Sequence, residues 1–175
     1  MRKFIMVFLF FMSVLTFIGC NVDESVVSIS LNPGVDTVEV NSTFTDAGAT
    51  STANGNEVDN TVITNTVDIT HVGTYEIVYQ VEYRNVIKTI TRIVSVIDET
   101  PPTGTLIAGI DTIRTGDAWI DAGINTDDNS QDTVTVTVSG TVNTNIEGEY
   151  HIIYLLEDTS GNQTTITRYV FVYEP

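Results

Sequence analysis

An all-β protein built as two tandem antiparallel sandwiches is predicted by three observations. Apolar and β-branched residues alternate with polar ones in several windows, at the period of a strand. Nearly all of the chain after residue 25 is written twice. No window after Cys20 carries a helical period of any length.

The repeat has an offset of 75 residues. Asp36-Thr37-Val38 returns as Asp111-Thr112-Ile113, and Phe44-Thr45-Asp46-Ala47-Gly48 as Trp119-Ile120-Asp121-Ala122-Gly123. Gly73-Thr74-Tyr75-Glu76-Ile77-Val78-Tyr79 returns as Gly148-Glu149-Tyr150-His151-Ile152-Ile153-Tyr154. The offset then becomes 76, so that Thr89-Ile90-Thr91-Arg92 matches Thr165-Ile166-Thr167-Arg168. The single insertion falls in Asp158–Asn162, which is shortened to Tyr83-Arg84-Asn85 in the first copy. A match over most of both units is a strong repeat signal.

Alternation marks the strands. Tyr75, Ile77, Tyr79 and Val81 alternate with polar or smaller residues, as do Val134, Val136 and Val138. Gly, Asn, Asp and Ser clusters break the runs at short intervals, as in a small antiparallel sandwich. In the second copy, residues 104–115 run out from the linker and a turn at Gly116-Asp117 sends 118–126 back. The loop 127–132 then lies at the linker end. Residues 133–142 go out, 144–148 turn, 149–157 return, and 158–162 reach the linker end again before 163–173. The chain therefore enters and leaves each unit at opposite poles, which suits an end-to-end rod. Pro101-Pro102 stiffens the join, because proline fixes φ and favours extended backbone. At ~3.3 Å per residue each unit is ~30–35 Å long.

These pieces carry a resemblance. The Phe-Thr-Asp-Ala-Gly motif, the Val-Gly-Thr-Tyr turn and strand, the Asp-Thr-Ser-Gly-Asn turn and the Thr-Arg-x-Val-x-Val final strand resemble the bacterial immunoglobulin-like domain first named from a pesticidal crystal protein. They are also similar to hyalin-repeat and other bacterial surface Ig-like modules. The resemblance implies two tandem immunoglobulin-like β-sandwiches, over residues 26–98 and 104–175, joined by a proline linker at 99–103. It implies a scaffold of surface proteins, and such a fold does not by itself fix function.

The N-terminus adds an address. Arg2 and Lys3 precede an apolar run from Phe4 to Gly19, and Cys20 is the sole cysteine. Charged, apolar and small residues in that order read as a secretory signal. The run of ~16 residues is short for a spanning helix, which needs ~20. The lone cysteine after Gly19 resembles a bacterial lipoprotein signal, with Phe17 where that family usually has Leu. The resemblance implies that residues 1–19 are removed, that Cys20 is lipidated, and that 20–25 tether the modules to a membrane from outside the cytoplasm. No disulfide can form within the chain, so apolar packing and strand pairing must hold the fold.

Removal of residues 1–19 leaves Arg84, Lys88, Arg92, Arg114 and Arg168 against 23 acidic residues. Nucleic acid is not the expected partner, since phosphate binding needs clustered Lys and Arg. Direct docking on anionic lipid is not expected for the same reason, which leaves anchoring to the acyl chains.

One place concentrates hard oxygen ligands. The trace brings Asp98 and Glu99 of the linker region near Asp127, Asp128, Asn129, Asp132 and Asp158. Ca²⁺ takes six to eight such oxygens, and these residues are its candidates. The same residues also read as ordinary turn formers, and no other cofactor is indicated. Asp46 and Asp121 read as Asx-type hydrogen bonds holding a strand bend. Trp119 aligns with Phe44 and reads as core-facing, as do Tyr75, Tyr79, Tyr150 and Tyr154. His71 and His151 occupy unrelated positions and read as solvent-face residues.

No nucleophile constellation or phosphate-binding glycine loop appears, which points away from an enzyme. The expectation is a non-catalytic, membrane-anchored surface lipoprotein acting as an adhesion or interaction module, or as a stalk. A protein or glycan ligand would meet the tip formed by Gly116, Asp117, Asn145 and Glu147. A carbohydrate-binding module and a Ca²⁺-rigidified adhesin are the alternatives.

Overall fold

The computed structural model describes residues 26–174; the expected signal segment and Cys20 lie outside them. The described residues form thirteen strands in two groups. The first group is β1 (Val27–Leu31), β2 (Thr37–Glu39), β3 (Ala49–Ala53), β4 (Asn56–Val58), β5 (Thr61–Asn65), β6 (Gly73–Tyr83) and β7 (Val86–Ile97). The second is β8 (Thr103–Leu106), β9 (Thr112–Arg114), β10 (Ile124–Asp127), β11 (Thr135–Ser139), β12 (Gly148–Glu157) and β13 (Gln163–Tyr173).

Each group makes two sheets. In the first module, β2-β7-β6-β5 faces β1-β3-β4; in the second, β11-β12-β13-β9 faces β10-β8. The long hairpins β6–β7 and β12–β13 are antiparallel, whereas β2 and β9 pair parallel to the ends of β7 and β13. Arg84 and Asn85 close the β6–β7 hairpin with φ of 47° and 70°. Two positive φ values in a two-residue loop match the twist of the flanking strands.

Alternation decides what each long strand buries. Ile77, Tyr79 and Val81 of β6 and Val94 and Val96 of β7 point inward and are buried. Ile152, Tyr154, Leu156, Val170 and Val172 repeat the arrangement in the second module. Phe44 and Trp119 pack against these clusters, as the repeat predicts. Tyr75 and Tyr150 stand at the rim and donate their hydroxyls to the His71 and Ile146 carbonyls, at 2.7 and 2.9 Å. Both histidines are exposed.

The edge strand β11 departs from simple alternation. Val136 and Val138 pair with the inward-facing Leu156 and Tyr154, yet Val138 is 52% exposed. The opposing sheet has only β8 and β10 and does not extend over β11.

Each core also holds a charge. Arg92 and Arg168 lie at inward positions of β7 and β13 and are each only 1% exposed. Arg92 Nη2 donates to the carbonyls of Asn32 (2.7 Å) and Gly48 (3.0 Å), beside the ends of β1 and β3 in the opposite sheet. Its Nη1 donates to Asp36, and its Nε lies 3.3 Å from Asp46. Arg168 makes the same set with Ile107, Gly123, Asp111 and Asp121. Asp46 and Asp121 each accept from the backbone two residues on, at 3.0 Å, and from the hydroxyls of Tyr79 and Tyr154. Burial disfavours the charged guanidinium, but Asp36 and Tyr79 outweigh it, and Arg92 titrates above its ordinary value. Burial and then Asp46 push the Tyr79 hydroxyl up, so it remains a donor. With both terminal nitrogens bonded to carbonyl and carboxylate oxygens, the guanidinium cross-links the two sheets of its module.

Candidate functional site

The junction between the modules is where the chemistry collects. β7 ends at Ile97, and Asp98 follows it at the edge of the linker. The turn after β10 carries Asp128, and the turn between β12 and β13 carries Asp158. Asp98, Asp128 and Asp158 each bring a carboxylate oxygen within 4.8 Å of the others. Asp98 and Asp158 are only 7% and 6% exposed. At an effective dielectric constant of 20, carboxylates this close repel by on the order of 3–4 kcal/mol per pair.

Asp98 and Asp128 are held through one oxygen each and Asp158 through both. Asp98 Oδ1 accepts from the Thr100 amide at 3.1 Å. Asp128 Oδ1 accepts from the amide and hydroxyl of Ser130. Asp158 Oδ1 accepts from the amides of Ser160 (2.9 Å) and Asn162 (2.8 Å), and its Oδ2 from the Asn162 side chain. In contrast, Asp98 Oδ2, Asp128 Oδ2 and Asn129 Oδ1 are buried without any hydrogen-bond partner. Burial pushes the Asp98 carboxyl above its ordinary value, and the charges of Asp128, Asp158 and Glu39 push it further, against the Thr100 amide.

Among the described residues, the basic side chains are elsewhere. Arg92 and Arg168 are spent in the cores. Arg114 sits on the Tyr173 hydroxyl, and Arg84 lies over the Tyr83 ring. Lys88 is ten residues along β7 from Asp98, ~33 Å in an extended strand.

The first module reaches into the junction through Glu39. Its carboxylate accepts from the Glu99 amide (3.1 Å), the Thr100 hydroxyl (2.7 Å) and the Asn129 side chain (3.0 Å). Burial raises its pKa, but these donors outweigh burial and hold it below the ordinary value. Asn41 donates to the Asn129 carbonyl at 2.6 Å, and Asn162 to the Asp98 carbonyl at 3.0 Å.

Of the seven residues expected at a cation site, the structure gathers Asp98, Asp128 and Asp158 and sets Asn129 among the Glu39 and Asn41 contacts. Glu99, Asp127 and Asp132 are exposed and stay out of the carboxylate cluster. Asp127 ends β10 opposite Thr103, whose hydroxyl donates to its carbonyl. Asp132 accepts from the Thr159 hydroxyl at 2.8 Å. Glu39, Asn41 and Asn162 were not foreseen. The repeat carried the signal: an offset of 75 maps the tip turn Gly116-Asp117 onto Asn41-Ser42, which places the turn after β2 at the junction.

At the other pole, Gly116, Asp117, Asn145 and Glu147 are all exposed. The Gly116 amide donates to the Thr144 carbonyl at 2.7 Å and ties the two tip loops together. A further surface was not foreseen either. Tyr169, Phe171 and Tyr173 alternate along the outer face of β13 and are 51%, 45% and 42% exposed. Their parity, opposite to Arg168, Val170 and Val172, was the available signal.

Sheet topology, the doubled core and the absence of helix among the described residues define a protein of tandem Ig-like β-sandwiches. The bacterial surface protein, Ig-like domain family matches residues 34–96 and 110–172, and the chain belongs to that family. The chain is similar to the crystal structure of the lipoprotein BT2262 from Bacteroides thetaiotaomicron, at 17% identity and a TM-score of 0.37. That match covers 85% of this chain and 56% of the other. No curated protein matches the chain.

Proposed function

We propose that the protein is a non-catalytic surface lipoprotein, anchored through lipid on Cys20, whose two modules form a short stalk for interaction at the cell surface. The observation that carries this reading is the pair of consecutive surface-family modules, at 34–96 and 110–172. It is supported by the Gly19-Cys20 pair after an apolar run. The exposed loops at Gly116-Asp117 and Asn145–Glu147 are the contact surface furthest from the tether. Metabolic labelling with an alkyne fatty acid, followed by protease shaving of intact cells, tests the anchor. The expected result is labelled protein that shaving removes, with label lost in Cys20→Ala. An unlabelled wild-type protein would overturn the lipid anchor.

A glycan-binding reading is favoured by one observation, the exposed row Tyr169, Phe171 and Tyr173. Aromatic faces stack on the apolar faces of sugars. Binding on a glycan array that is lost in the triple alanine variant supports it; an unchanged profile removes it.

A further inference from the structure

We infer that Asp98, Asp128 and Asp158 form a site for one Ca²⁺ ion at the junction, with Asn129 Oδ1 as a fourth protein oxygen. The three carboxylates lie within 4.8 Å of one another. An ion that holds oxygens at 2.3–2.6 Å spans that separation, and carboxylate and amide oxygens are the ligands Ca²⁺ takes. Water completes the six to eight positions.

Orphaned atoms carry the inference further than the acidic cluster alone. Asp98 is more than nine-tenths buried, and its Oδ2 has no hydrogen-bond partner; Asp128 Oδ2 and Asn129 Oδ1 are likewise buried and unpaired. Buried polar atoms in native proteins are nearly always satisfied, so each exception asks for a partner. Two of these exceptions belong to the carboxylate cluster and the third to Asn129, the residue next to Asp128, and all three are acceptors. The partner they lack is therefore a donor or a cation, and among the described residues the basic side chains lie elsewhere. The fixed oxygens explain why the free ones stay in place. Ser130, Thr100, Ser160 and Asn162 hold the rotamers from the outer side, which is how a cation site is preorganised.

The ion would join the linker at Asp98 to two turns of the second module. Asn129 extends that connection to Glu39 of the first.

The full chain in mild detergent, at physiological salt, is the material for the test. ⁴⁵Ca equilibrium dialysis should show one saturable site per chain. Thermal unfolding should rise by several degrees with Ca²⁺ over EDTA, since ligand bound only by the native state stabilises it. Mg²⁺ should give much less. In Asp128→Asn the saturable site should vanish while the midpoint in EDTA stays level or rises, because repulsion is relieved. A structural role without an ion would instead lower that midpoint in EDTA and Ca²⁺ alike. Asp98→Asn guards against a misfolded first variant, and Asp127→Asn and Asp132→Asn should keep the site. Absence of saturable binding, an equal response to Mg²⁺, or binding unchanged in Asp128→Asn and Asp98→Asn would each overturn the proposal.

Discussion

Val27, Ala53, Tyr83 and Val86 close the base of the first module with hydrocarbon. At the matching places in the repeat, the second module has Pro102, Asp128, Asp158 and Asn162. The two cores behind these bases are nearly superimposable in chemistry, down to the buried arginine and its partners. The difference teaches that this sandwich separates its stability from its base. Long hairpins and the guanidinium cross-link fix the fold, and the pole facing the preceding segment is left free to be rewritten. The first base is greasy, and the second, which meets the first module through Glu39 and Asn41, is acidic.

The comparison can be broken most severely at its shared part. Arg92→Met and Arg168→Met each strand two carboxylates and two carbonyls, and each should cost about 3–5 kcal/mol. Urea unfolding should show one module lost in each variant, with equal cost in the two. A difference of more than ~1 kcal/mol between them would show that the two cores are not equivalent. Exchanging the bases comes next. Ala53→Asp places an unpaired carboxylate in a buried apolar cluster and should cost about 3 kcal/mol. Asp128→Ala at the matching position should cost less than ~1 kcal/mol in metal-free buffer, because it removes repulsion as well as a turn bond. Between these two, Tyr79→Phe and Tyr154→Phe remove a hydroxyl donated to Asp46 and Asp121. Each should cost about 1.5 kcal/mol by chemical denaturation, the lower range for a bond to a charged group. Smallest is Glu39→Ala, at ~0.5 kcal/mol for a partly exposed cluster of bonds. Its signature is coupling: the unfolding transitions of the two modules should separate, whereas Arg114→Ala, at the matching position on the far pole of the second module, should leave their spacing unchanged.

Much of this was legible in the sequence, for identifiable reasons. Strands and their inward residues follow from a period of two, and the 75-residue offset shows where the second copy must repeat the first. The same parity contained the buried arginines, since Arg92 stands in register with Ile90, Val94 and Val96. Gly34 and Gly109 are a subtler trace of them. A Cβ at either would come within 2.7 or 2.9 Å of the Ala47 or Ala122 Cβ and crowd the guanidinium. Other features depend on lengths the pattern does not encode. Whether Val136 and Val138 are covered depends on the width of the opposing sheet. Whether Asp127 or Asp128 turns inward depends on where β10 stops, by a single residue. The orphaned oxygens at Asp98 and Asp128 depend on side-chain rotamers, which no periodicity records.

The parallel pairing of β2 with β7 has a mechanical consequence. Thr37, Val38 and Glu39 lie beside Ser95, Val96 and Ile97, and β9 lies beside β13 in the same way. A load drawn through the linker pulls along β7, parallel to these hydrogen bonds' strands. The bonds are then strained in shear, all together, and cannot peel one after another as they would at the open end of a hairpin. A tether built of such modules resists tension at the last few residues of each, with no covalent cross-link required.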